Sequence, residues 1–384
     1  MSRKINKDGK NSIHLKIRIN RNALKWGARI ISGLFVTILL AAGISVIVVA
    51  ALRFSGKSRL LQGNEEHILT LAENLTEDTD VVASMQSDTT DVVQWEEGDI
   101  RYKGEIYSYK NEVMTFLFLG IDKKGVVKEA KNFIDGGQSD VIFLAVLDPD
   151  KKSIQLIAVP RDTMADIAIY DKKGNYLNTQ KAQIALQHGY GDGLALSAQR
   201  AKDAVSNLFY GIPIHGYCTL HMGGIAELND AVGGISLQSL DTFTRGEYSF
   251  QEGETVTLQG MGAYHYLQYR DTTVAGSAGI RLQRQKQYIA AYINQAKGEI
   301  KKNLTFALTL YHTLAKYMVT DITADEVTYL AGEILDYQFA NGQIYSLTGE
   351  TIFNETDQHE ELHLDEEALK DLVIHVFYEK KSNS

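Results

Sequence analysis

Three short apolar runs, Phe116–Leu119, Val141–Leu147 and Ile154–Val159, constrain this chain more than any other feature. Each is rich in Val, Ile, Leu and Phe and is bounded by Gly, Pro or Asp, which is how buried strands read. The second and third are joined by Asp148-Pro149-Asp150-Lys151-Lys152, a hairpin turn. Neighbouring antiparallel strands bring the exit of one run beside the entry of the next. Asp122 follows the first run, Asp140 precedes the second, and Arg161 and Asp162 follow the third, so all four are expected at one sheet edge. Such charges have two readings. They are solvated strand ends, because charges lie outside, or they are a site in which two acids and an arginine hold a cation and a phosphate.

The stretch Ile30–Leu52 carries no charge and is long enough to cross a bilayer as a helix. Before it stand Arg3, Lys4, Lys7, Lys10, Lys16, Arg18, Arg21, Lys25 and Arg29 against a single acid, Asp8. That asymmetry puts the N-terminus in the cytoplasm and the rest outside. A cleaved signal peptide is the rival, but its apolar region is normally shorter and no clear small-x-small site followed by a polar run precedes Arg53. The expected organisation is therefore a basic cytoplasmic tail (1–29), a membrane helix (30–52), an extracytoplasmic stalk (53–93) and an extracytoplasmic α/β domain (94–384). The net charge is −9 despite the basic tail, so the outer part is acidic and a basic nucleic-acid-binding face is excluded as its bulk property. One cysteine, Cys218, allows neither an internal disulfide nor a cysteine zinc site.

Further along, Gln94–Lys110 reads as a hairpin about Lys103-Gly104. Helical spacing marks Ala195–Phe209, Met222–Val232, a helix from Met261, another from about Ile280, a capping-box helix at Thr323-x-x-Glu326, and Asp365–Phe377. Arg270 falls near the end of one helix. Arg281, Arg284 and Gln285 fall in the first turns of the next, where arginines oppose the helix dipole unless an anion lies among them. Ordinary solvated helix arginines are the alternative.

Three motifs then coincide: GID at Gly120–Asp122, SD-apolar-run-PRDT at Ser139–Thr163, and YRD…IRLQRQ at Tyr269–Gln285. With GIPIHGYCTLHMGGIAELNDAVGGISL between them, they resemble the LytR-CpsA-Psr family of bacterial cell-wall glycopolymer transferases. The resemblance covers about Phe116–Ala290, leaving a helical C-terminal extension. It implies a mixed central β-sheet flanked by helices, with a hydrophobic tunnel for a polyprenyl lipid. It also implies transfer of a glycopolymer, of the teichoic acid or capsular type, from undecaprenyl diphosphate to a peptidoglycan hydroxyl. By position, Asp140 matches the family's metal-binding aspartate, with Asp122 beside the metal. Arg161, Arg270, Arg281 and Gln285 match its diphosphate contacts, Arg284 lies in the same motif and is placed with them as a diphosphate contact, and Asp162 is expected to orient Arg161. Magnesium is the implied cofactor, with manganese as the alternative, and Asp122 is the candidate to take the incoming hydroxyl's proton.

Lys124, Gln138 and Gln268 stand where many members carry arginine, and the acid usual before the last arginine motif is absent from VAGSAG. A lysine keeps charge without the fork, and glutamine loses it. The alternatives to a transferase are therefore a lipid-diphosphate pyrophosphatase and a membrane-anchored wall-binding or regulatory module.

Overall fold

The three apolar runs become adjacent strands at the centre of one sheet. A computed structural model describes residues 55–60, 64–76, 95–271, 273–274, 277–340, 343–356 and 359–381. The basic tail and the expected membrane helix Ile30–Leu52 lie outside the described residues. Among the described residues no helix is long and apolar enough to cross a membrane.

In chain order, helix α1 (Asn64–Leu75) precedes the hairpin β1 (Ile100–Tyr102) and β2 (Glu105–Tyr109). Strands β3 (Met114–Ile121), β4 (Ser139–Asp148) and β5 (Ser153–Ala158) follow, then a ribbon of β6 (Met164–Tyr170) and β7 (Tyr176–Gln183). Next come α2 (Ala195–Leu208), β8 (Gly216–His221), α3 (Ile225–Ala231), β9 (Ile235–Gln238), β10 (Phe243–Arg245), β11 (Tyr248–Phe250) and β12 (Thr255–Leu258). The remainder is α4 (Met261–Gln268), α5 (Ser277–Lys302), α6 (Phe306–Leu314), β13 (Met318–Thr320), α7 (Ala324–Glu333), β14 (Ile344–Ser346), the hairpin β15 (Gly349–Asn354) and β16 (His359–Leu364), α8 (Glu366–Phe377) and β17 (Tyr378–Lys380).

The six-stranded central sheet has the order β13-β8-β3-β4-β5-β14. Pairings β3–β4, β4–β5 and β8–β13 are antiparallel, and β3–β8 and β5–β14 are parallel, so the sheet is mixed as expected. Side chains alternate between two cores. Leu117, Leu119, Ile142, Leu144 and Ile157 join one cluster with α1, α2 and α8. Phe116, Phe143, Ala145 and Leu156 join another with α5 and α7. A helix layer thus covers each sheet face.

Two expectations need correction. The stalk is not a free spacer over its described part. Ile68, Leu71, Ala72 and Leu75 form one apolar face of α1 and are buried in the first core. Ser55 and Arg59 bond to Asp325 on α7. Nor is the C-terminal region a helical extension only. It supplies both edge strands of the central sheet, β13 and β14, and the β15–β16 hairpin, in which His363 lies on a strand rather than a helix flank. The predicted Lys103-Gly104 turn is present, with both residues at positive φ, 48° and 83°. The Thr323–Glu326 capping box is also formed.

Candidate active site

The site begins with an irregularity in the sheet. Along β3–β4 the register runs Gly120↔Val141 and then Ile121↔Ser139, so Asp140 is an extra residue opposing none on β3. A bulge of this kind re-aims a side chain. Gly120 permits it, since a Cβ there would come within 2.9 Å of the Val141 side chain. On the other side, Val159 N–H donates to Ile142 O at 3.0 Å, which carries the β4–β5 ladder onward and sets Arg161 beside Asp140.

Arg161 is held on three sides. One terminal nitrogen donates to Asp140 Oδ1. The other donates to Gln138 Oε1 at 2.8 Å. Its Nε lies 3.3 Å from Asp162 Oδ1, which also accepts from Gln183 Nε2 at 2.7 Å. Asp162 thus lies within ion-pair distance of Arg161 and is itself fixed by Gln183. Gln138, an uncharged residue, adds its carbonyl oxygen as a fixed partner to Arg161. Asp122 sits at the base of the 122–138 loop, where its Oδ1 accepts from Gln138 N–H at 2.7 Å and its N–H donates to Gln138 O at 3.1 Å. Gln138 thus links Asp122 to Arg161.

The later arginines join this group. Arg281, only 8% exposed, interacts electrostatically with Asp140, Arg161, Arg270 and Asp162. Burial, with the neighbouring Arg161 and Arg270 charges, pulls its guanidinium below the usual arginine range. Burial lifts Asp162 above the ordinary carboxylate range, against the opposing charges of Arg161, Arg270 and Arg281. Arg270, two residues past α4, donates to Ser277 Oγ at 3.1 Å and to Glu360 Oε2 at 3.0 Å. Three guanidiniums thus share one small volume with carboxylates as their counter-ions. Like charges are costly to bury together unless paired, and the arrangement is suited to an anion with several oxygens.

Arg284 does not belong to this group, which corrects the expectation that it contacts diphosphate. Three residues beyond Arg281, it leaves α5 roughly 60° further round the helix axis and is 1% exposed. Its terminal nitrogens donate to the carbonyls of Tyr266 and Tyr269, and its Nε lies 3.5 Å from Asp241. The guanidinium also stacks over Phe243, 4.9 Å from the ring centroid. Gln285 shares the Arg281 face at i+4, but its amide donates to Leu267 O at 3.4 Å.

For a cation, Asp140 and Asp122 each commit Oδ1 to a partner, and their Oδ2 atoms accept no hydrogen bond from the described residues. No group of three or more His, Cys, Asp or Glu among the described residues could hold a metal alone. That donor set fits a magnesium-type ion, which takes one or two carboxylates and completes its shell with substrate phosphates and water.

Ala198, Ala201 and Val205 of α2 are buried as ordinary core in the first cluster. The other sheet face differs. Phe118, in the middle of a central strand, is 43% exposed. Its lateral partner Cys218 is partly exposed although protein surrounds its thiol, whose pKa burial pushes up to about 12. Accessible apolar surface thus remains at Phe118 and Cys218 on this face of the sheet. Sequence reasoning missed Glu360 and Gln183. The signal for Glu360 was the alternation in His359–Leu364, too polar on both faces to read as a buried strand.

A mixed sheet between helix layers, with carboxylates and arginines converging on its strand ends, defines an α/β protein whose site has the charges to receive an anion. The profile of the LytR_cpsA_psr family matches residues 76–372, and the chain belongs to that family. It is 30% identical over 243 residues, 63% of this chain and 71% of the relative, to a polyisoprenyl-teichoic acid–peptidoglycan teichoic acid transferase, TagU, from Enterococcus faecalis. The TagU of Halalkalibacterium halodurans is 30% identical over 189 residues, 49% of this chain, and the match spans 57% of that relative's own length. The crystal structure of B. subtilis TagV superposes with a TM-score of 0.53 at 22% identity, covering 68% of this chain and 96% of that one, which shows a shared fold.

Proposed function

We propose that this chain transfers a wall glycopolymer from a polyprenyl diphosphate carrier, of the undecaprenyl type, to a hydroxyl of peptidoglycan. The observation that carries the reading is the convergence of Asp140, Arg161, Asp162, Arg270 and Arg281 on one strand edge. In the reaction the acceptor hydroxyl oxygen attacks the phosphorus that bears the glycan. The bond from that phosphorus to the bridging oxygen breaks, and lipid monophosphate leaves with the bond's electron pair. The hydroxyl proton passes to a nearby carboxylate, for which Asp122 is the candidate.

Phosphoryl transfer asks the protein for charge neutralisation and in-line placement more than for covalent chemistry. Arg161, prealigned by Asp140, Gln138 and Asp162, supplies a fixed fork for one phosphate. Arg270 and Arg281 supply the second, Arg270 exchanging Glu360 for the ligand. Asp140 and Asp122 would hold magnesium, or manganese in its place, and that cation would neutralise phosphate charge. The apolar surface at Phe118 would receive the start of the lipid chain. A lipid substrate also gives a purpose to Ile30–Leu52 as a single membrane anchor, with the N-terminus cytoplasmic and the α/β domain outside.

Binding of farnesyl diphosphate, followed calorimetrically with and without magnesium, tests the reading. We expect magnesium-dependent binding that Arg281→Met weakens. Binding indifferent to both the cation and Arg281 would contradict it.

A further inference from the structure

The β15–β16 hairpin is fastened to the strand end that carries Arg161 and Asp162. Leu362 N–H donates to Asp162 O at 2.8 Å. Gln183 Nε2 bridges Asp162 Oδ1 and Glu360 O, at 2.7 and 2.8 Å. A further bridge joins Thr163 and Leu362. These contacts bring the Glu360 side chain, 19% exposed, to Arg270. Its Oε2 accepts from Arg270, and its Oε1 has no hydrogen bond from the described residues.

The hairpin register pairs Phe353 with Glu360, so the two side chains stand next to each other on one face. Leu362 and Leu364 alternate onto that same face, and Leu364 packs against the first core. It is therefore the inner face. Phe353 is nevertheless 55% exposed. Its ring therefore stands open to solvent on the face that carries Glu360, the partner of Arg270.

An aromatic ring next to a carboxylate with a spare oxygen suits a sugar: the ring takes the apolar C–H face and the carboxylate accepts from hydroxyls. The Glu360 carboxylate on this face, with Glu355 and Glu361 close by in the hairpin, makes an anionic lipid surface a poor occupant. We propose that Phe353 and Glu360 bind a sugar ring of the acceptor glycan and present its hydroxyl to the arginine cluster. The proposal rests on the transferase reading and deepens it. At rest Glu360 neutralises Arg270. A diphosphate that takes the Arg270 fork frees Glu360, which then accepts from the sugar hydroxyl, so acceptor binding strengthens once the donor is in place.

The test uses the full chain, farnesyl diphosphate with magnesium as the donor probe, and a tetrasaccharide of N-acetylglucosamine as the acceptor probe, by calorimetry. The tetrasaccharide should bind more tightly with farnesyl diphosphate present. Phe353→Ala and Glu360→Gln should each weaken it by about fivefold or more, and Phe353→Tyr should retain it. Farnesyl diphosphate affinity should be unchanged in Phe353→Ala and equal or tighter in Glu360→Gln, where Arg270 has lost its anionic partner. Tetrasaccharide binding unaltered in both variants overturns the proposal, as does a parallel loss of farnesyl diphosphate binding. If the wild type binds farnesyl diphosphate but no tetrasaccharide, the acceptor site falls and the transferase reading stands. If it binds neither, both fall.

Discussion

Arg281 and Arg284 stand three residues apart on one helix and are both buried, yet they sit in opposite kinds of surroundings. Arg284 lies where β9–β12, α4 and α5 meet. Two backbone carbonyls, Asp241 and three aromatic rings surround it. It is a finished interior: each terminal nitrogen already donates to a backbone carbonyl, and rings cover the guanidinium face. Arg281 lies at the strand-end cluster, where two other arginines face it and the available acids are shared among all three. The lesson is that burial of an arginine does not identify a binding residue. What distinguishes the two is whether the protein itself completes the charge and hydrogen bonding.

The largest effect expected from breaking this contrast is on stability. Arg284→Met removes donors from two buried carbonyls and strands Asp241, and should cost about 3 kcal/mol in chemical denaturation. The protein that remains folded should bind farnesyl diphosphate as the wild type does. Arg281→Met should do the reverse. It relieves repulsion from Arg161 and Arg270, so the melting temperature should hold or rise, while diphosphate affinity drops by about thirtyfold. Equal losses of stability in the two variants would erase the distinction.

A third prediction concerns the support beneath the open site. His188 is buried under the 122–138 loop, with Nδ1 3.1 Å from Gly137 O, and burial lowers its pKa to about 4. A histidine depressed in the folded state contributes stability that is present above its unfolded pKa, about 6.5, and is lost as pH falls through about 4. The wild type should therefore weaken between these values. His188→Gln, which keeps a donor for Gly137 O, should reduce that acid loss by about 2 kcal/mol. An unchanged pH dependence of the denaturation midpoint would show that His188 does not titrate with unfolding. The smallest effect is expected at Gln138. Gln138→Leu frees one Arg161 nitrogen and should lower diphosphate affinity by about fivefold. Gln138→Arg, which adds charge but removes the acceptor, tells alignment from charge: lower affinity in it too means that alignment matters more.

Much of the opening half of the site was legible in the sequence because strand-end placement follows from period and turn. The runs ending at Ile121, beginning at Asp140 and ending at Val159 could pair only so as to bring their charges together. The bulge at Asp140 could not be read, since it shows only as a register shift against Gly120. Arg281 and Arg284 looked alike because helical spacing gives the face of a residue but not what lies opposite. Separating them required knowing that β10 brings Phe243 over one side. Glu360 was hidden for a different reason: its strand is short, polar and exposed, so it carries no apolar signature, and it lies far along the chain from its partner Arg270. The packing of α1, within the expected stalk, was not legible because its apolar stripe is short and acids stand beside it.

The most direct measurement is transfer of a labelled lipid-linked glycopolymer to purified peptidoglycan in the presence of magnesium, comparing the wild type with Asp140→Ala and Arg161→Ala. The account predicts transfer by the wild type, with release of lipid monophosphate, and a fall of about a hundredfold or more in each variant whose fold is intact. Transfer unchanged in both variants would contradict it, and label released only as free glycan phosphate would show water, not peptidoglycan, as the acceptor.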